Sequence, residues 1–337
     1  MKILITGAAG GIGSTLCRDL NSLGHQLILV DNLRNGYLEN LEQDGQIPGK
    51  FFKLDINSDE FCTLVEEESP DVVVHLAAIT ALPDCEVNYK ECIRINVEGT
   101  AAVLGASRNS GVRKVIFAST SAVYENTKYS SEEGFSEEDQ ISPRLFYSLS
   151  KKMAEEICQS FSINYGMDVT ILRFFNVFGP KQDIHRTSPP LINYVVREFK
   201  RGNTPILHSD GNQSRDYVFS EDVSDLIQKC IITDLEGQKI FNVSTNKTIS
   251  VKEIVKSIKE SIPQASLIKE EYRESHQLWD NYPSLYSGKY PLKKEIVSKE
   301  TNKSSLGNNS LAKEKFNWNP RVNVLDLIKK VVQDIKI

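Results

Sequence analysis

Short, continuously apolar runs recur along the first half of the chain, separated by stretches of helical period. Residues 2–6 form the first run, which suits a strand buried on both faces of a parallel sheet. Ile12, Leu16, Leu20 and Leu23 then follow a helical period that stops at Gly24, and residues 27–30 form a second strand ending on Asp31. The polar, glycine-containing segment 32–50 predicts a loop or broken helix. Residues 51–54 read as a third strand running into Asp55 and Ile56, and 59–68 as a helix ended by Pro70. A fourth strand over 71–78 runs into small residues. A helix over 97–110, a fifth strand over 112–118, a helix over 146–165 and a sixth strand over 169–172 follow. Met153, Ile157 and Phe161 make a stripe on the 146–165 helix, suited to the core or to a second subunit. Strands alternating with helices predict an α/β fold, a doubly wound parallel sheet.

Past Arg173 the pattern changes. Gly179-Pro180, Pro189-Pro190, Gly202, Pro205 and Gly211 punctuate the chain, and short strands mix irregularly with helices. The expected division is a nucleotide-binding domain over 1–173 and a smaller substrate lobe over 174–337, some of whose segments return to the first domain. Residues 270–309 read as a mobile flap or a substrate-specific insertion. A helix over 324–335 closes the chain.

The turn after the first strand carries Gly7, Gly10, Gly11 and Gly13, with Ile12 opening the helix. Glycines there let the backbone approach a pyrophosphate, and the N–H groups of the helix start face its charge. Asp31, at the tip of the second strand, is placed to accept hydrogen bonds from an adenosine ribose, which favours NAD; Arg34 leaves room for NADP. Ala77 and Ala78, at the end of the fourth strand, suit either close approach of a cofactor or packing.

Bulk properties narrow the partners. A net charge of −5 over 337 residues gives no nucleic-acid surface. No run approaches the roughly 18 apolar residues of a membrane span. A strand at the very start argues against a signal peptide, and six cysteines without close spacing read as reduced thiols in a cytoplasm. Metal binding has no support.

Tyr147 and Lys151 share one face near a helix start, where the ammonium and the helix terminus are expected to lower the phenol's pKa. Such a phenol takes a proton from a substrate alcohol near neutral pH. Ser119, Thr120 and Ser121 end the fifth strand, where ligands of open α/β sheets gather, although hydroxyls also favour plain polar turns. Thr120 is suited to bond a substrate hydroxyl and the Tyr147 oxygen together.

Taken together, Gly7-x-x-Gly10-x-x-Gly13, Asp31-Asn32-Leu33, Asp55-Ile56, His75-Leu76-Ala77-Ala78, Asn96-Val97-x-Gly99-Thr100 and Tyr147-x-x-x-Lys151 resemble the extended short-chain dehydrogenase/reductases. Residues 173–180 and the 210–216 stretch extend the likeness to the NAD-dependent sugar-nucleotide epimerase/dehydratase family, of UDP-glucose 4-epimerase type. The resemblance implies a Rossmann-type sheet and NAD as cofactor. It places NAD on Gly7, Gly10, Gly11, Ile12, Gly13, Asp31, Asn32, Asp55, Ile56, Leu76, Ala77, Ala78, Asn96, Ser119, Tyr147, Lys151 and Phe174. It makes Thr120, Tyr147 and Lys151 catalytic, and Thr80, Thr120, Asn176, Arg215 and Arg273 the binders of a nucleotide-diphosphate sugar, with Asn176 and Arg215 on the diphosphate. It also implies a homodimer through the 97–110 and 146–165 helices.

Departures from the family pattern narrow the reaction. Related 4,6-dehydratases carry Asp-Glu after the catalytic threonine, and decarboxylases a glutamate at the second of those positions; here they are Ser121 and Ala122. Glu125 replaces the glycine usual after Val-Tyr, and Arg273-Glu274 stands in for an Arg-Gly-Asp stretch. Simple 4-epimerisation needs least of the missing groups. The alternatives are a sugar-nucleotide dehydrogenase or ketoreductase and, from another class, a dinucleotide-binding protein without turnover.

Overall fold

The computed structural model describes residues 1–128, 132–236, 239–274 and 279–335. Seven parallel strands form its main sheet: β1 (Lys2–Thr6), β2 (Gln26–Asp31), β3 (Lys50–Lys53), β4 (Val72–His75), β5 (Lys114–Thr120), β6 (Asp168–Phe174) and β10 (Ile240–Val243). Their order is β10-β6-β5-β4-β1-β2-β3, so the chain reverses direction beside β1. β1, β4, β5 and β6 are almost wholly buried, as their unbroken apolar runs require. On one face lie α1 (Gly11–Ser22) and α8 (Ser220–Ile232); Ser224 Oγ donates to Asp19 Oδ2 across their contact at 2.7 Å. On the other lie α2 (Asp59–Glu68), α5 (Gly99–Asn109) and α6 (Phe146–Tyr165).

Besides a two-residue shift of β5, the elements depart from the pattern-based expectation chiefly at β4, α5 and β10. β4 ends at His75, because its partner β1 ends opposite at Thr6; Leu76, Ala77 and Ala78 are therefore a connection, not strand. The helix expected from 97 begins as a wide π turn over Arg94–Glu98, and α5 proper starts at Gly99. β10 is a seventh strand supplied from beyond residue 173.

A three-stranded sheet of β7 (Asn176–Phe178), β9 (Ser214–Phe219) and β11 (Thr248–Ser250) stands beside the main one. Behind it a second core gathers α7 (Leu191–Lys200), α9 (Val251–Ser261) and the terminal helix Val324–Asp334. The 270–309 stretch, apart from residues 275–278, which lie outside the described residues, is no free flap. Its strand β12 (Glu271–Arg273) pairs with β8 (Ile206–His208), and Trp279, 5 % exposed, packs with Val297 of the helix Lys294–Asn302 against Leu145.

Candidate active site

A cavity of about 450 Å³ opens at the C-terminal ends of β1, β2, β4, β5 and β6, at the reversal of strand order where open α/β sheets bind ligands. Gly7, Gly10, Gly11, Ile12 and Gly13 line one end, where α1 begins with first-turn N–H groups that have no partner within the helix. The turn is tight enough to demand glycine. A Cβ on Gly13 would lie 2.2 Å from Gly7 O, and one on Gly7 (φ +70°) 2.8 Å from Ala77 N. Gly7 therefore packs directly on the backbone of Leu76 and Ala77.

Asp31 holds this end together. Its carboxylate accepts from Ala9 N (3.0 Å) and Leu33 N (2.8 Å), while burial presses its pKa upward. Asn32, Asp55, Ile56, Leu76, Ala77, Ala78 and Phe174 complete the wall. Asp55 is fixed by Arg94 Nη2 at 2.9 Å, and Arg34 pairs with Glu91 at 3.0 Å.

At the other end Thr120, Tyr147 and Lys151 come together. The Thr120 hydroxyl stands near enough to the Tyr147 phenol to pull its pKa down. Lys151 Nζ lies 2.7 Å from Ala118 O, to which it donates, and 4.7 Å from the centre of the Phe117 ring. Burial pushes Lys151 down to about 8. The expected lowering of the phenol is not seen: burial drives Tyr147 up to about 12, outweighing the pull of Thr120. Beneath them His75 is pushed down to about 3 by burial and by the Lys151 charge, and it bridges Thr6 Oγ1 and Thr100 Oγ1 as a neutral ring.

Two carboxylates seat the helix that carries Tyr147 and Lys151. Glu125 Oε2 accepts from Arg144 N (2.7 Å) and Leu145 N (2.9 Å), and Glu86 Oε1 from Phe146 N (2.5 Å). Neither lines the cavity, so neither is a general acid there. Ser119 reaches the cavity wall, yet its Oγ donates to Glu155, which forms a buried ion pair with Arg173 at 2.8 Å.

Of the remaining residues expected at the site, Thr80 and Asn176 line the cavity; Asn96, Arg215 and Arg273 do not. Asn96, 1 % exposed in the π turn, accepts from Ile79 N (2.8 Å) and donates to Ile79 O (2.9 Å) and Ser150 Oγ (2.9 Å). It ties the connection after β4 to α6. Arg215 donates to the carbonyls of Ser214, Glu300 and Thr301, anchoring the end of the helix Lys294–Asn302. Arg273 is spent on Glu271, two residues away on the same strand, at 2.8 Å. The cavity instead recruits Gln182, Asp183 and Arg186 from the segment after Gly179-Pro180. The polar cluster 181–186 behind a Gly-Pro break was the available signal for them.

A model of the NAD dependent epimerase/dehydratase family matches residues 3–244. The chain belongs to that family. Relatives within it include the UDP-glucose 4-epimerase of Mycolicibacterium smegmatis, 32% identical over 75% of this chain and 80% of the relative. The dTDP-D-glucose 4,6-dehydratase of Mus musculus is 30% identical over 98% of this chain and 88% of its own. Among solved structures, the UDP-glucose 4-epimerase of Thermus thermophilus in complex with NAD superposes with a TM-score of 0.82 at 26% identity, covering 99% of this chain and 98% of that one. The cofactor of this NAD-dependent family fits the cavity: a glycine cradle that side chains would fill, a helix start for the pyrophosphate and the Asp31 carboxylate for the ribose.

Proposed function

We propose that this family member is a nucleoside-diphosphate-sugar 4-epimerase. The observation that carries the reading is the Tyr147 phenol and the Thr120 hydroxyl together on the cavity wall, near enough for the hydroxyl to pull on the phenol, with Lys151 one helical turn behind and no acid at Ser121 or Ala122. NAD, when bound, supplies the acceptor that takes the hydride from C4 of the sugar and gives it back. Tyr147 Oη takes the proton of the 4-hydroxyl, and the Thr120 hydroxyl orients that transfer. Lys151 favours the phenolate that accepts this proton. The C4–H and O4–H bonds break to give a 4-keto sugar, which turns over. The same bonds then re-form on the opposite face, with Tyr147 returning the proton, so no net oxidation occurs.

Dehydration would need an acid to protonate a departing 6-hydroxyl, and the residues after Thr120 supply none. On this reading Asn176 contacts the sugar nucleotide, and the chain works as a homodimer. The supporting feature is the pair of neighbouring helices α5 and α6, with Ile163 on the second 81 % exposed.

The test is product analysis by NMR with NAD and a panel of UDP-, GDP-, CDP- and dTDP-sugars, with reduced nicotinamide followed in the same samples. An epimer without lasting reduced nicotinamide is expected, and Tyr147→Phe should cut kcat by about 10²–10⁴. A keto sugar with stoichiometric reduced nicotinamide would replace the epimerase by a dehydrogenase.

A further inference from the structure

Three cationic side chains line the cavity among the described residues: Arg34, Lys151 and Arg186. Arg34 is paired with Glu91, and Lys151 is held on Ala118 O behind the phenol. Arg186 alone is uncommitted. Its Nη1 donates to Thr80 Oγ1 at 3.2 Å, its Nε has no partner, and no described carboxylate stands within ion-pair distance. Asp183 and Asp84 act on it only from farther away, and the Asp183 carboxylate is occupied by the Tyr37 hydroxyl (2.8 Å) and by the backbone N–H groups of His185 and Arg186. Burial presses the guanidinium below its usual pKa range. A half-buried cation without a neighbouring counter-charge is stabilised by a ligand that supplies one.

The location specifies which part of a ligand would do so. Arg186 and Tyr147 each feel the other's charge, and Thr80 follows the Ile79 connection that Asn96 clamps to α6. Both side chains line the same cavity, so an anion held by Arg186 lies in the space that a sugar served by Tyr147 occupies. On a hexose the carboxylate of a uronic acid is attached at C5, the ring carbon next to C4. A planar guanidinium matches a carboxylate in two parallel hydrogen bonds. Resting on the 4-epimerase reading above, we propose that Arg186 selects a substrate whose sugar is a hexuronic acid, by pairing with its carboxylate.

The test uses pairs of nucleotide sugars that differ only at C6: UDP-glucose with UDP-glucuronate, GDP-mannose with GDP-mannuronate and dTDP-glucose with dTDP-glucuronate. Wild-type enzyme and Arg186→Gln are compared for kcat/KM, for product identity and for NAD affinity. Wild-type enzyme is expected to favour the uronate of one pair at least tenfold. Arg186→Gln should lose about ten- to a hundredfold on that uronate and leave its neutral partner and NAD affinity unchanged. Preference for the neutral sugar, turnover of no uronate, equal loss on both members of a pair, or weakened NAD binding would each overturn the assignment, the third by moving Arg186 to the diphosphate. Epimerisation of neutral sugars alone would leave the epimerase reading standing while this inference fails. A uronate converted only to a keto sugar, with Arg186 dependence intact, would do the reverse.

Discussion

Glu86 shows how one side chain can couple the site to pH. Burial, and then the nearby Glu125 carboxylate, raise its pKa from 4.5 to about 7, against the pull of the Phe146 N–H. The folded protein therefore holds a proton between those values that the unfolded chain has released. Stability from Glu86 is full below about pH 4.5 and is lost as pH rises through about 7. Glu86→Gln keeps the acceptor and removes the charge. It should leave stability unchanged near pH 4.5 and raise it at pH 8 by about 1–2 kcal/mol, discounted for partial exposure. Denaturant melts of both proteins across that range check it, and a pH-independent offset would contradict it. Nothing in the local sequence marks Glu86, because its shift comes from burial and from a carboxylate 39 residues away in the chain. Gly13 is the opposite case. Its requirement comes from a turn carried wholly within residues 7–13, so the spacing alone exposes it.

At the scale of elements, α6 is the part on which the chemistry depends. Its inner face buries Ser148, Lys151, Ala154, Glu155 and Cys158, while Met153, Ile157 and Phe161 lie half-buried on the flank. Its start is capped from outside: Glu125, 3 % exposed, satisfies the N–H groups of Arg144 and Leu145, three and two residues before Tyr147. Glu125→Ala strands both donors and should cost about 1–3 kcal/mol. It should also lower kcat more than it changes KM, because the phenol loses its fixed seat. Chemical denaturation with steady-state kinetics tests this, and unchanged stability together with unchanged kcat would rule out the cap. The glutamate was visible in the sequence as a departure from its family's glycine. Its role was not, because the donors it meets lie 19 and 20 residues downstream.

At the scale of the whole molecule, the proposed dimer is carried by α5 and the flank of α6. Met153→Arg places a charge on that flank and should convert a dimer to a monomer in light scattering after size exclusion; a dimer that survives it must use another face. The buried network of Glu155, Arg173, Tyr124 and Asn242 joins α6, β6, the turn after β5 and β10, and so ties the site to a strand contributed from beyond residue 173. The parallel sheet, the glycine turn and the placing of Tyr147 and Lys151 on one helix face were legible in the chain alone. Each of these rests on an apolar run, a turn or a helical repeat contained in a few tens of residues. Which cations face the cavity emerged from the packing of distant segments. Arg215 and Arg273 found nearer partners in backbone carbonyls and in Glu271, whereas Arg186 was left on the wall with no ion-pair partner among the described residues. A charged side chain's partner is set by which segments pack beside it, and no local pattern in the chain records that choice.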